Sequence, residues 1–436
     1  MIPAQTVAEK LLSRKAGTPL EAGEIAVCAV DLAVAHDGNR PQSIDILREL
    51  GGGGPWDPAR VILVIDHAPT QPNLAAAAIH DGMRRFAREY GVEVLGPGEG
   101  VCHQIIPERG YASPGDLVLG TDSHTCTYGA LNALGTGVGS SDLAAVFLTG
   151  TLWLKVPESI YVDLTGRFRP GVYAKDAILA LASRLGADGA TYAALEFHGD
   201  ALAGLSVAGR MTMANMAVEL GAKAGIFPCD EVLERWLAER RAAHPTAPVT
   251  PATPASAVSP DAGARYIDRL QLDLASLEPQ VACPHNVDNV RPISDVVGTP
   301  IKEAVIGTCT NGRLEDLAVA AGVLAGRHIH PDVRLFVTPA SRAIYLAALR
   351  AGIIEILLEA GAIINQPGCS ACTGGSHVGV PSDGENVVTT ANRNFKGRLG
   401  NPEANLFLAS PATVAASALE GRIADCRQYM EVGASA

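Results

Sequence analysis

Asn365-Gln366-Pro367-Gly368-Cys369-Ser370-Ala371-Cys372-Thr373-Gly374-Gly375 places two thiols three residues apart in a segment rich in glycine and proline. It follows the apolar run Ala362-Ile363-Ile364, so it reads as a tight loop at the end of a strand. A second segment of the same kind lies upstream. There Ala304-Val305-Ile306 runs into Gly307-Thr308-Cys309-Thr310-Asn311-Gly312-Arg313. Loops of this sort meet at the carboxyl edge of a parallel sheet, where open α/β sheets bind their ligands. Three thiolates gathered there are one short of the four that close a cubane iron–sulfur cluster.

Outward from these loops the chain repeats strand, loop and helix. Arg60-Val61-Ile62-Leu63-Val64-Ile65 is a continuous apolar run that ends in Asp66-His67. Leu117-Val118-Leu119-Gly120 likewise delivers Thr121-Asp122-Ser123-His124-Thr125. Continuous runs of this length predict parallel strands buried on both faces. The segments 5–15, 40–50, 71–90, 174–186 and 211–224 read as helices, and Glu24 to Asp31 reads as a strand. Pro411 opens a last helix. The expectation is a layered, mostly parallel α/β protein. We expect three units, residues 1–157, 158–275 and 276–436, the last carrying the three thiols. Residues 242–263 shift to Ala, Pro, Thr and Ser and read as a solvated, semi-rigid linker.

The gross numbers exclude several classes. With 436 residues the chain exceeds one ordinary core, and 47% hydrophobic with 18% charged residues excludes a disordered chain. A net charge of −12 without a long basic block argues against nucleic-acid binding. No segment reaches 18 consecutive apolar residues and no apolar leader is visible, so neither a membrane span nor an export signal is expected. Nine cysteines, an odd number, then point to a reducing, cytoplasmic setting and to thiols kept for packing or chemistry.

Cys-x-x-Cys by itself leaves other readings open, among them a thioredoxin-like pair and a zinc site completed by His377 or His285. Asp66-His67 and Asp122-Ser123-His124 set a carboxylate beside an imidazole, the pairing that proton transfer requires, though a helix cap uses the same letters. The Gly-x-Ser-x-Gly turn of a serine hydrolase is absent, as are the dinucleotide and Walker-type glycine patterns. Asn392-Arg393-Asn394-Phe395-Lys396-Gly397-Arg398 offers planar cations suited to carboxylates, or a solvated loop. Glu219 is a lone carboxylate in an Ala-rich helical stretch, where a helix-surface position is the plain alternative.

Taken together, Thr121 to Thr125, Thr308 to Gly312, Pro367 to Cys372, Asn392 to Arg398 and Ala409 to Ala418 resemble the aconitase superfamily. The resemblance runs from about residue 5 to 425 and leaves out only the 242–263 segment. Asp122 to Leu131 and Thr310 to Leu317 are most similar to the large subunits of 3-isopropylmalate dehydratase and homoaconitase-type enzymes. The resemblance implies three α/β/α domains around a central crevice, without the swivelling fourth domain, which a separately encoded small subunit would supply. It implies a [4Fe-4S] cluster on Cys309, Cys369 and Cys372 with one iron free of cysteine. It also implies that Arg393 and Arg398 hold substrate carboxylates, with Ser123 and His36 as further substrate-binding residues. Asp66, His67, His103, Asp122, His124 and Glu219 would handle protons and orient the hydroxyl, while the base would be a serine of the small subunit. The implied reaction is reversible dehydration of a hydroxy di- or tricarboxylate, 3-isopropylmalate foremost. Homocitrate-derived acids, methylmalate, dimethylmalate and citrate are the alternatives, and a metal- or RNA-binding regulatory protein is the rival from another class. Two departures, Ala391 where relatives often have serine and Ala68 to Gln71 after His67, bear on which substrate is taken.

Overall fold

The computed structural model describes residues 3–39, 42–51, 53–243, 257–372 and 378–430. Among the described residues, three larger sheets carry the chain, beside a two-stranded antiparallel pair. In the first, the order is Glu93–Leu95, Val61–Val64, Leu32–His36, Leu117–Gly120, Leu134–Gly137, all parallel. The second runs Ala224–Ile226, Ala194–His198, Ser159–Thr165, Asp268–Asp273, also parallel. The third has seven strands. Its parallel core is Asn405–Leu408, Asn386–Thr389, Glu303–Gly307, Arg334–Thr338, Ile363–Ile364, with Gln280–Ala282 and Val290–Pro292 added antiparallel at one edge. Val61–Val64 and the Ala304 to Ile306 run of Glu303–Gly307 are buried at every position, as unbroken apolar runs require.

Two strands decide where chemistry can sit. From Leu32–His36 the chain builds the first sheet toward one edge, then returns to build on the other side. Glu303–Gly307 plays the same part in the third sheet. Each is a topological switch point, where flanking connections diverge and leave a crevice at the carboxyl end. His36 ends the first of these strands, and Cys309 lies two residues beyond the second.

Local structure departs from the sequence reading in two places. The stretch from Glu24 to Asp31 is not one core strand. Ile25–Ala29 pairs only with Thr151–Lys155, while Leu32–His36 is the buried central strand. Asp31 separates them, because its carboxylate accepts the Leu117 N–H at 2.7 Å. The helix expected over 211–224 is Val207–Met216, and it tightens into a 3-10 turn at Ala217–Leu220 before Ala224–Ile226. Of the Pro-rich 242–263 segment, 244–256 lie outside the described residues. Its end is fastened down, since Asn132 Nδ2 donates to the Val258 carbonyl and the Val258 N–H returns to Asn132 Oδ1 at 2.7 Å.

Candidate active site

A cavity of about 350 Å³ opens at the two switch points. His36, His67, His103, Asp122, Ser123, His124, Cys309, Cys369, Cys372, Arg393 and Arg398 all line it. Side chains as far apart in sequence as His36 and Arg398 thus meet in one crevice, delivered by the carboxyl ends of six strands and, for His103, by the helix Cys102–Glu108. Asp66 and Glu219 stand one layer back, each bonded to a lining histidine.

Asp122 is the hub. Its Oδ1 lies 3.1 Å from His124 Nδ1 and 3.0 Å from His103 Nε2, and its Oδ2 lies 3.4 Å from His67 Nε2. Burial opposes its charge, but His103, His124 and His67 outweigh that and hold its pKa well below the usual carboxylate range. His67 Nδ1 lies 2.6 Å from Asp66 Oδ1. Burial alone would lower the His67 pKa; the charges and hydrogen bonds of Asp66 and Asp122 raise it well above the ordinary value. His124 is likewise raised, because burial is outweighed by its bonds to Asp122 and to Glu219, whose Oε1 is 2.8 Å from Nε2. His36 goes the other way. Burial and the neighbouring His67 charge lower its pKa to about 4, although Asp122 opposes them. Its Nδ1 accepts the Gly38 N–H at 3.0 Å, so the neutral ring carries its proton on Nε2, facing the cavity.

Glu219 is no helix-surface residue. The 3-10 turn aims it inward, where Oε1 also accepts Arg393 Nε at 2.7 Å, and Arg393 Nη2 donates to Ser123 Oγ at 2.8 Å. Several buried polar atoms of lining residues lack hydrogen-bond partners among the described residues: His36 Nε2, His103 Nδ1 and Arg398 Nε. Buried polar atoms left without partners are costly unless a ligand satisfies them. Here they share one crevice.

The three thiols form its third wall. Asn215 Nδ2 donates to Cys309 Sγ at 3.4 Å and Asn392 Nδ2 does so at 3.6 Å. Asn392 Oδ1 lies 3.4 Å from Cys372 Sγ, and Arg398 Nη2 donates to Cys372 Sγ at 3.1 Å. Soft sulfur ligands surrounded by N–H donors and a guanidinium suit an iron–sulfur cluster, whose charge such donors stabilise. A single zinc ion suits them less. Among the described residues, the sets of metal-ligating side chains whose atoms lie within 4.8 Å of one another are His36, Asp37, Asp66, His67 and His103, Asp122, His124, not the thiols. His285 does not line the cavity, and His377 lies outside the described residues.

The loop geometry follows from the sequence locally. Gly307 has φ +128°, and a Cβ there would sit 2.1 Å from the Thr338 carbonyl oxygen, so only glycine lets the strand turn directly into the Cys309 segment. The Cys369 N–H donates to the Asp66 carbonyl at 2.7 Å, which ties the Cys-x-x-Cys loop to the Asp66-His67 loop.

Asp37, Asn215 and Arg313 were not among the expected site residues. Asp37 accepts the N–H groups of Asp66, His67 and Ala68 and pairs with the buried His80. Arg313 holds the carbonyls of Cys309 and Thr310 at 2.8 Å each. The available signal for Asp37 was its place beside His36 at a strand end. Asn215, in the middle of a helix, offered none.

The chain is similar to one described family and to several named proteins. The family described as aconitase (aconitate hydratase) matches residues 9–302 and 295–421. The 3-isopropylmalate dehydratase large subunit 1 of Methanopyrus kandleri is 49% identical over 427 residues, covering 98% of this chain and 100% of that protein. The protein of the same name from Thermotoga maritima is 47% identical over 98% of this chain and 100% of its own length. A probable methanogen homoaconitase large subunit of Methanothermobacter thermautotrophicus is 46% identical over 96% of this chain and 97% of its own. Among solved structures, the holo-form of Thermococcus kodakaraensis aconitase X aligns with a TM-score of 0.49 at 14% identity, over 86% of this chain and 89% of that one.

Proposed function

The chain belongs to the aconitase family, and from that premise we propose that it is the cluster-bearing large subunit of a hydro-lyase that interconverts 2- and 3-isopropylmalate. The observation that carries this reading is the crevice itself. It sets three free thiols opposite a histidine–aspartate network and two arginines within one cavity. Family membership implies a [4Fe-4S] cluster, and Cys309, Cys369 and Cys372 are the residues that would hold it. When bound, it supplies Lewis acidity toward a substrate hydroxyl at an iron free of cysteine.

The remaining steps belong to side chains. Arg393, braced by Glu219 and Ser123, and Arg398 take the substrate carboxylates and offset their charge. His67, kept protonated by Asp66 and Asp122, presents Nε2–H to the departing hydroxyl. The carbon–oxygen bond breaks as the neighbouring carbon loses its proton, and a double bond forms. Water adds back in the opposite sense to complete the isomerisation. His36, whose Nε2 lacks a hydrogen-bond partner, and His103, whose Nε2 lies against Asp122 Oδ1, orient the hydroxyl. The proton on carbon goes to a base on a separate small subunit, in keeping with relatives that are named large subunits. No helix among the described residues is long and apolar enough to cross a membrane, and all nine cysteines are free, which suits work in the cytoplasm.

The test is anaerobic reconstitution with iron and sulfide, followed by isomerase assays on the chain alone and with its small subunit. Brown, iron-loaded protein that turns over only with the partner is expected. Full turnover by the isolated chain would refute the two-subunit reading, and a wild-type chain that takes up no iron would refute the cluster.

A further inference from the structure

Lys175 is 0% exposed, yet it makes no ion pair with any described residue. Its Nζ donates to the carbonyls of Thr390 at 2.9 Å and Ala391 at 2.6 Å. The next-door carboxylate, Asp176, is engaged elsewhere, accepting the backbone N–H groups of Tyr173 and Gln280 at 2.8 Å. A buried ammonium matched only by neutral carbonyls is costly, and such charges are ordinarily paired.

The carbonyls it holds belong to a particular segment. Ala391 packs against Cys369 and Cys372, and the next residue, Asn392, reaches both Cys309 and Cys372. The ammonium is therefore held by the segment that packs against the thiols without itself lining the crevice, while Arg398, which does line it, touches Cys372. Burial lowers the Lys175 pKa to about 7, and the charges of Cys372 and Cys309 act in the opposite direction. Three thiolates outweigh the charge of an iron–sulfur core, so the loaded centre is a net anion, more so when reduced. The missing counter-ion of Lys175 is then the cluster.

We propose that Lys175 is the fixed counter-cation of the metal centre, a positioning residue that raises the reduction potential of the bound cluster and slows its loss. The inference rests on the cluster reading above. The simpler alternative is a strut that ties the helix Ala174–Leu185 to the segment carrying Asn392. The two differ in sign for the metal-free chain. A strut stabilises it, whereas an uncompensated buried charge does not.

The experiment compares wild type with Lys175→Gln, which keeps an N–H donor but carries no charge, and with Lys175→Arg. Each reconstituted chain is titrated anaerobically with dithionite under EPR, its bleaching in air is timed, and the metal-free form is melted. Lys175→Gln should melt without metal at or near the wild-type temperature, move the midpoint potential negative and bleach several-fold faster. Lys175→Arg should restore the potential. A folded Lys175→Gln chain that takes up no cluster at all also supports the proposal. An unmoved potential, or a metal-free Lys175→Gln chain that no longer folds, overturns it. A wild-type chain that loads no iron brings down the cluster reading and this inference with it; a loaded wild type beside an unmoved variant brings down only this one.

Discussion

Replacing Asp37 by Asn tests whether this carboxylate holds the His67 loop in place. Its two oxygens divide the work. Oδ1 takes the N–H groups of Asp66 at 3.0 Å and His67 at 2.8 Å, and Oδ2 takes that of Ala68 at 2.9 Å and faces His80 Nε2 at 3.0 Å. An asparagine keeps one acceptor and turns the other into an NH₂ group that faces donors. Two charge-assisted bonds are lost. At roughly 1.5–3 kcal/mol each, the loop loses about 3–6 kcal/mol. Amide exchange across residues 61–70 should therefore speed up by about 10²- to 10⁴-fold, at about 1.4 kcal/mol per tenfold. The pH dependence has a definite sign. Burial opposes the Asp37 charge, but His80, the His67 charge and the amides of His67 and Ala68 hold its pKa well below the ordinary aspartate value. Its contribution is complete above that ordinary value and disappears as pH falls through the depressed one. The wild-type loop should thus loosen on acidification, and the Asp37→Asn loop should respond less. Exchange rates within about threefold of wild type, or an unchanged acid response, would refute the assignment.

Glu219→Gln should lower the His124 pKa, read by NMR, since the Glu219 bond is one of the forces raising it. That raised pKa stabilises the fold below the ordinary histidine value and is lost as pH rises through the folded one, so the variant should lose stability mainly on the acidic side. His36→Asn should flatten the stability profile between about pH 4 and the ordinary histidine value. In the wild type, the unfolded chain binds the extra proton there and stability drops on acidification. Gly307→Ala should cost several kcal/mol and lower iron uptake, because its Cβ meets the Thr338 carbonyl at 2.1 Å; wild-type iron content with unchanged stability would contradict this. Arg210 is fully buried, with Asp230 oxygens at 2.7 and 2.8 Å, so Arg210→Met should cost about 3–5 kcal/mol in urea unfolding.

Sequence alone determined the local parts of this protein. Apolar runs ending in Asp66-His67, Asp122-Ser123-His124, Cys309 and the Cys369–Cys372 pair mark buried strands that deliver side chains to one sheet edge, because strand burial and turn chemistry are written in adjacent residues. It also carried the family, since those motifs are contiguous. What the sequence left undecided concerns partners remote along the chain. Glu219 meets His124 at a separation of 95 residues and Arg393 at 174, Asp37 reaches His80 43 residues on, and Lys175 meets Thr390 215 residues away. A lone carboxylate in an Ala-rich stretch, or a lysine near a helix start, has the same local signature on a surface as in a site. Only the packing of the switch-point strands decides which it is, because that packing sets which distant groups lose water together and must find one another.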